Sequence, residues 1–108
     1  MLTQLLHASQ WCYAHRLSKG GLFFEKLMIC LCSAHISGKA KIHRHVSFSH
    51  GGIGVIVNPS AEIGEGCIIN AKVTLGNGFP HGGAPKLGKN VYVGVGCFIG
   101  GVFLLLTM

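Results

Sequence analysis

The feature that most constrains this chain is a six-residue period. Aliphatic residues stand six apart at Ile36 and Ile42, again at Val57, Ile63, Ile69 and Leu75, and again at Leu87, Val93 and Ile99. The fifth residue of each complete hexad is small or β-branched: Ala40, Val46, Ala61, Cys67, Val73, Val91 and Cys97. The second is often glycine, as at Gly64, Gly76, Gly88, Gly94 and Gly100. Self-similarity of fixed period marks a solenoid, in which each unit buries its face only by stacking on the next. A short strand alternates its side chains, so positions one and five point to the same side. Large aliphatics at one and small residues at five fill a narrow interior, and glycine at two suits a sharp corner between faces. The spacing predicts a mainly β chain, with a parallel β-helix of hexapeptide repeats over residues 36–101. Seventeen glycines against three prolines are too many for a helical bundle and lack collagen's strict period.

Two interruptions break the period. Nine residues instead of six separate Phe48 from Val57, with His50, Gly51, Gly52 and Gly54 in the gap. Between Leu75 and Leu87 the pattern lapses across residues 77–85, which read as a loop thrown out from a coil corner. Loops on rigid scaffolds are where function concentrates. Upstream, Leu2, Leu5 and Leu6, then Trp11, Ala14 and Leu17, recur at helical spacing. Residues 18–21 break that helix, and residues 22–34 read as a second, more apolar one. One or two short α-helices within residues 1–35 are therefore expected before the β-helix. They would pack on each other, on the first coil or on a neighbouring subunit. Residues 102–108 read as an apolar tail.

A net charge of +6 suits an anionic partner: nucleic acid, a lipid surface or a phosphate-rich cofactor. The lysines are scattered singly and no basic run is interleaved with aromatics, which argues against nucleic acid. In the apolar second segment only residues 27–34 are free of charge, far short of the ~20 residues that span a bilayer. The N-terminus lacks a basic region followed by an apolar stretch, so no signal peptide is expected. Five cysteines form no C-x-x-C pair and no zinc-ligand spacing. They read as small core residues of a protein in a reducing cytoplasm.

The string Ser49-His50-Gly51-Gly52-Ile53-Gly54-Val55-Ile56-Val57-Asn58-Pro59-Ser60-Ala61-Glu62-Ile63-Gly64 resembles the active-site coil of serine acetyltransferases and related sugar O-acetyltransferases. Val73-Thr74-Leu75-Gly76, Gly83-Ala84-Pro85-Lys86-Leu87-Gly88 and Val93-Gly94-Val95-Gly96-Cys97 are similar to further motifs of that family, in the same order. Trp11-Cys12-Tyr13-Ala14-His15-Arg16 resembles the N-terminal helix of its compact, sugar-modifying members. The resemblance implies a left-handed β-helix of three hexads per coil and a homotrimer. It also implies acetyl-CoA as co-substrate in a groove between subunits, with Gly76, Asn77, Lys86, Gly94 and Val95 as cofactor-binding residues.

The implied activity is acetyl transfer from the CoA thioester to a hydroxyl. An acceptor hydroxyl needs a base at neutral pH, and histidine titrates near the working pH. His50 is the implied base, with His81 as a second catalytic candidate, and nearby backbone amides would hold the oxyanion. The acceptor stays open between serine, which would place the chain in cysteine biosynthesis, and a sugar hydroxyl. The family usually has aspartate where Ser49 stands, and histidine where Ala84 stands with His81 three residues earlier. Serine acetyltransferases also carry a larger preceding helical domain, and their relatives further coils, so this chain reads as a short, truncated form. Two alternatives accompany the reading. One is an inactive or purely structural β-helix. The other is a γ-type carbonic anhydrase using three histidines, of which His45 and His50 would supply an H-x4-H pair and His81 the third.

Overall fold

The computed structural model describes residues 2–76, 85–100 and 104–105. Two helices come first, α1 over Leu2–Ala14 and α2 over Ser18–Cys32. The break between them falls at residues 15–17, where Arg16 has a φ of 60°. Gly20 and Gly21, expected to break the helix, instead lie inside α2. Space explains them: a Cβ on Gly21 would stand 2.5 Å from the Tyr13 ring. Ser9 Oγ donates to the Gly21 carbonyl at 3.0 Å across the same contact.

The buried stripe of α1 is Leu2, Leu6, Ser9 and Cys12. It does not run through Trp11, which is 55% exposed and stacks on His15. α1 turns its stripe toward α2 and the first coil. Gln10 Nε2 donates to the Ile42 carbonyl at 3.2 Å, and a Cβ on Gly38 would meet the Ser9 backbone at 2.9 Å. Leu2, Leu6 and Met28 thereby join one cluster with Ile36, Ile42 and the strands beyond. Helices this short gain their stability from such packing rather than from propensity.

Tyr13 donates a short hydrogen bond to the buried Glu25 carboxylate. Burial first, then this hydrogen bond, pushes the Tyr13 phenol up to about 12. An unfolded tyrosine ionises near ~10, so the raised folded value adds stability that is complete below that pH. The contribution should fade as pH rises from about 10 to about 12. Urea midpoints measured across that window should fall in the wild type, and fall less in Tyr13→Phe.

α2 ends at Ser33, whose left-handed backbone (φ 54°, ψ 36°) lets its amide donate to Ile29. Two- and three-residue strands follow: β1 (His35–Ile36), β2 (Lys41–Ile42), β3 (Ser47–Phe48), β4 (Ile56–Val57), β5 (Glu62–Ile63), β6 (Ile68–Ile69), β7 (Thr74–Gly76), β8 (Lys86–Leu87), β9 (Tyr92–Val93), β10 (Phe98–Gly100) and β11 (Leu104–Leu105). They pair in parallel as three faces. The first is β1-β4-β7-β10, the second β2-β5-β8-β11 and the third β3-β6-β9. This is the expected parallel β-helix preceded by two short helices. β11 lies in the stretch read as an apolar tail and extends the second face, pairing with β8.

Register places hexad position one in columns: Ile36–Val57–Leu75–Ile99, Ile42–Ile63–Leu87 and Phe48–Ile69–Val93. Ala40, Val46, Ala61, Cys67 and Val73 from position five are buried beside them. The insertion after Phe48 is absorbed at a corner, and β7 and β8 stay in register with their neighbouring coils. Cysteines divide. Cys12 and Cys67 are buried, whereas Cys30 on the outer side of α2 and Cys97 in the last described corner are exposed.

Glycine at position two does not make the corner. The left-handed residue of the turn is position four, at Gly66, Lys72, Asn90 and Gly96. Gly64 serves instead to let coils approach, since a Cβ there would lie 2.5 Å from the Gly88 carbonyl oxygen. Gly64→Ala should therefore cost about 1–3 kcal/mol by forcing backbone apart. Gly94→Ala, whose Cβ would meet nothing nearer than Cys97 Sγ at 3.9 Å, should be close to neutral in the same denaturant titration.

Candidate active site

Three corners join the three faces, and the candidate residues are divided among them. The corner from the third face to the first carries His50. β3 stops at Phe48 and the inserted residues wind into a 3-10 turn over Ser49–Gly52. His50 (φ 54°, ψ 35°), Gly51 (φ 67°) and Gly52 (φ 71°) are consecutive left-handed residues. Glycine adopts that region freely, whereas histidine does so at a cost of order 1–3 kcal/mol. Beyond its chain neighbours, nothing lies within 4 Å of where a Gly51 Cβ would sit, so the turn is open next to His50.

Below this turn the same corner repeats in the next two coils. Lys72 N–H donates to the Ile53 carbonyl at 2.8 Å, and Gly96 N–H to the Ala71 carbonyl at 3.1 Å. Gly94 and Val95 thus stand two coils beneath His50, roughly 10 Å away by the strand spacing.

His50 is exposed and lines a cleft of about 280 Å³ with Leu2, Leu31, Cys32, Ser33, Gly51 and Ile53. Much of that wall comes from the helices. The Ser33 carbonyl accepts the Gly54 amide at 2.8 Å, which ties the end of α2 to the His50 turn. Sequence reading missed this wall, because no periodicity says where the end of a helix will dock. Ser49 brings no carboxylate, and among the described residues none lines the cleft beside His50. The chain has three acids, and Glu25 meets Tyr13, Glu62 meets Lys86 and Glu65 meets His43.

Gly76 and Lys86 lie elsewhere, on either side of the corner from the first face to the second. Gly76 closes β7 and pairs with Gly100. Lys86 in β8 reaches Glu62 Oε2 at 3.2 Å, an exposed pair that contributes little to stability. Asn77 and His81 fall outside the described residues. One protomer therefore brings His50, Gly94 and Val95 to one corner and puts Gly76 and Lys86 at another. His45 occupies the remaining corner, so the described chain does not gather the H-x4-H pair of the carbonic anhydrase alternative.

Exposed apolar side chains gather on the corner of His50 and the two faces that meet there, with Lys72 and Thr74 among them. Ile53 and Val95 on its corner, Ile56 and Phe98 on the first face, and Ile68 and Tyr92 on the third are all exposed. The second face instead presents Lys41, Glu62 and Lys86. So many exposed large apolar side chains on adjoining faces suit an interaction surface.

No protein-family model matches the sequence. The serine acetyltransferase of Synechocystis sp. is 37% identical over 91 residues, 78% of this chain and 36% of that protein. Over those residues the chain is similar in sequence to the serine acetyltransferases. The Synechococcus elongatus serine acetyltransferase is 31% identical over 90 residues, covering 82% of this chain and 36% of the relative. The chain thus spans about a third of the length of the curated relatives it matches. A serine acetyltransferase from Brucella abortus solved in complex with coenzyme A superposes with a TM-score of 0.82 at 21% identity, over 91% of this chain and 40% of that one. At that identity the likeness concerns the fold. Among the described residues no helix is long and apolar enough to cross a membrane.

Proposed function

We propose that this chain takes part in acetyl transfer from acetyl-CoA to an acceptor hydroxyl, with His50 as general base. The observation that carries the reading is His50 itself. It is an exposed imidazole held at an open glycine turn, beside a cleft, in a chain similar in sequence to serine acetyltransferases. His50 would accept the hydroxyl proton as the oxygen attacks the thioester carbonyl, and return it to the departing CoA thiolate. The cofactor, bound along the coil edges, would supply the activated acetyl group. Gly94 and Val95 at the His50 corner, and Gly76, Asn77 and Lys86 at the other, are the residues proposed to hold it. His81 is retained as a second catalytic candidate.

A homotrimer accounts for two observations at once. It would join the two separated corners across an interface and cover the apolar residues around His50. The five free thiols suit a cytoplasmic location. Serine is the first acceptor to try, given the relatives. A sugar hydroxyl is the second, because Ser49 and Ala84 stand where the serine enzymes usually have aspartate and histidine. The test is thiol release from acetyl-CoA by the purified chain, offered serine and then a panel of sugars. Release that depends on one acceptor class names it. Absence of release from soluble, folded trimer would leave a structural β-helix as the correct description.

A further inference from the structure

The corner from the second face to the third serves no purpose in the reading above, yet it gathers ligand-bearing side chains. Residues 43–46 form it in the first coil and residues 64–67 in the second. His43 and His45 project from the upper turn and Glu65 from the lower, all exposed. Their ligand atoms lie within 4.8 Å of one another. His43 Nε2 is 3.4 Å from Glu65 Oε2, and the two imidazole rings meet edge to face with centroids 5.2 Å apart. The turn beneath them is well held. His43 N–H donates to the Ile63 carbonyl at 3.0 Å, Val46 N–H to the His43 carbonyl at 3.1 Å, and His45 N–H to His43 Nδ1 at 3.1 Å.

We infer that His43, His45 and Glu65 form a site for a divalent first-row transition ion, zinc above all, that clips the first coil to the second. Two imidazoles and one carboxylate suit zinc, nickel or copper, whereas magnesium and calcium take all-oxygen shells. Tetrahedral zinc with ligands at about 2.0–2.1 Å needs donor atoms about 3.3 Å apart, and exposed side chains within 4.8 Å reach that by small rotations. Three protein ligands leave the fourth position to water. Ligation through His43 Nε2 places the ring's remaining proton on Nδ1, so the exposed His45 amide turns from the ring to solvent. The site stands at a different corner from His50, and it holds or fails independently of the acetyl-transfer reading.

The test uses the full chain after chelator treatment, titrated with zinc in a calorimeter and with cobalt(II) by visible absorption. One ion per chain is expected, bound in the micromolar range, with a cobalt spectrum that lacks thiolate charge transfer. His43→Gln, His45→Gln and Glu65→Gln should each weaken zinc at least about tenfold. A Cys30→Ser/Cys97→Ser double variant should bind as the wild type does. Zinc should raise the melting temperature of the wild type and not of Glu65→Gln. Failure to saturate, a thiolate band in the cobalt spectrum, or affinity that survives Glu65→Gln would each overturn the site. The wild-type cobalt spectrum decides by itself should any variant fail to fold.

Discussion

His50→Ala should reduce acceptor-dependent thiol release from acetyl-CoA by about 10²–10⁴-fold, the usual worth of a positioned general base. The fold should survive, because the imidazole is exposed and hydrogen bonds from neighbouring backbone hold its turn in place. One complication is the left-handed backbone at this position, which alanine tolerates poorly. His50→Asn separates the two effects, since asparagine enters that region readily and offers no base. Equal loss in both variants, with unchanged melting temperatures, assigns the effect to the missing imidazole. Full activity in His50→Asn would move the base elsewhere, with His81 the next residue to replace.

Ile63→Ala should cost about 2–5 kcal/mol, the largest stability effect expected of a single side chain here. Ile63 is 2% exposed and lies between Ile42 and Leu87 in the column of the second face. The small residues around it, Ala61 and Cys67, are themselves fully buried and cannot expand into the space. Backbone pairing fixes the coils above and below, so the cavity cannot close by collapse. A domain is typically stable by only about 5–15 kcal/mol, so this one change should bring unfolding close to ambient conditions. Ile56→Ala removes the same atoms from an outward position that is 46% exposed, and in the monomer it should cost far less. Comparable urea midpoints for the two variants would show that the hexad interior does not carry the stability.

The architecture was legible because its signal is local. Side-chain alternation within each strand points positions one and five inward, so Ile36 to Val93 at position one could be assigned to the interior from spacing alone, whereas Cys97, at position five of the last described corner, stays exposed. The helices were legible in kind and less so in detail. Trp11 looked like part of an apolar stripe and lies outside it, while Ser9 and Gly21 lie within because the two helices come close there. His50 was identified by the motif around it, but the cleft beside it was not, since Leu31 and Ser33 reach it only through docking of α2.

Residue identity and spacing by themselves determined the solenoid, its hexad register and the candidate base. Only tertiary structure decided what stands at each corner. It made Gly64 a point of coil contact rather than a bend, separated Gly76 and Lys86 from His50, and set Glu65 beside His43. The physical reason is common to all three. A corner is filled by residues from successive coils, about twenty positions apart in the chain. Their proximity follows from stacking and insertion length, which no local pattern encodes.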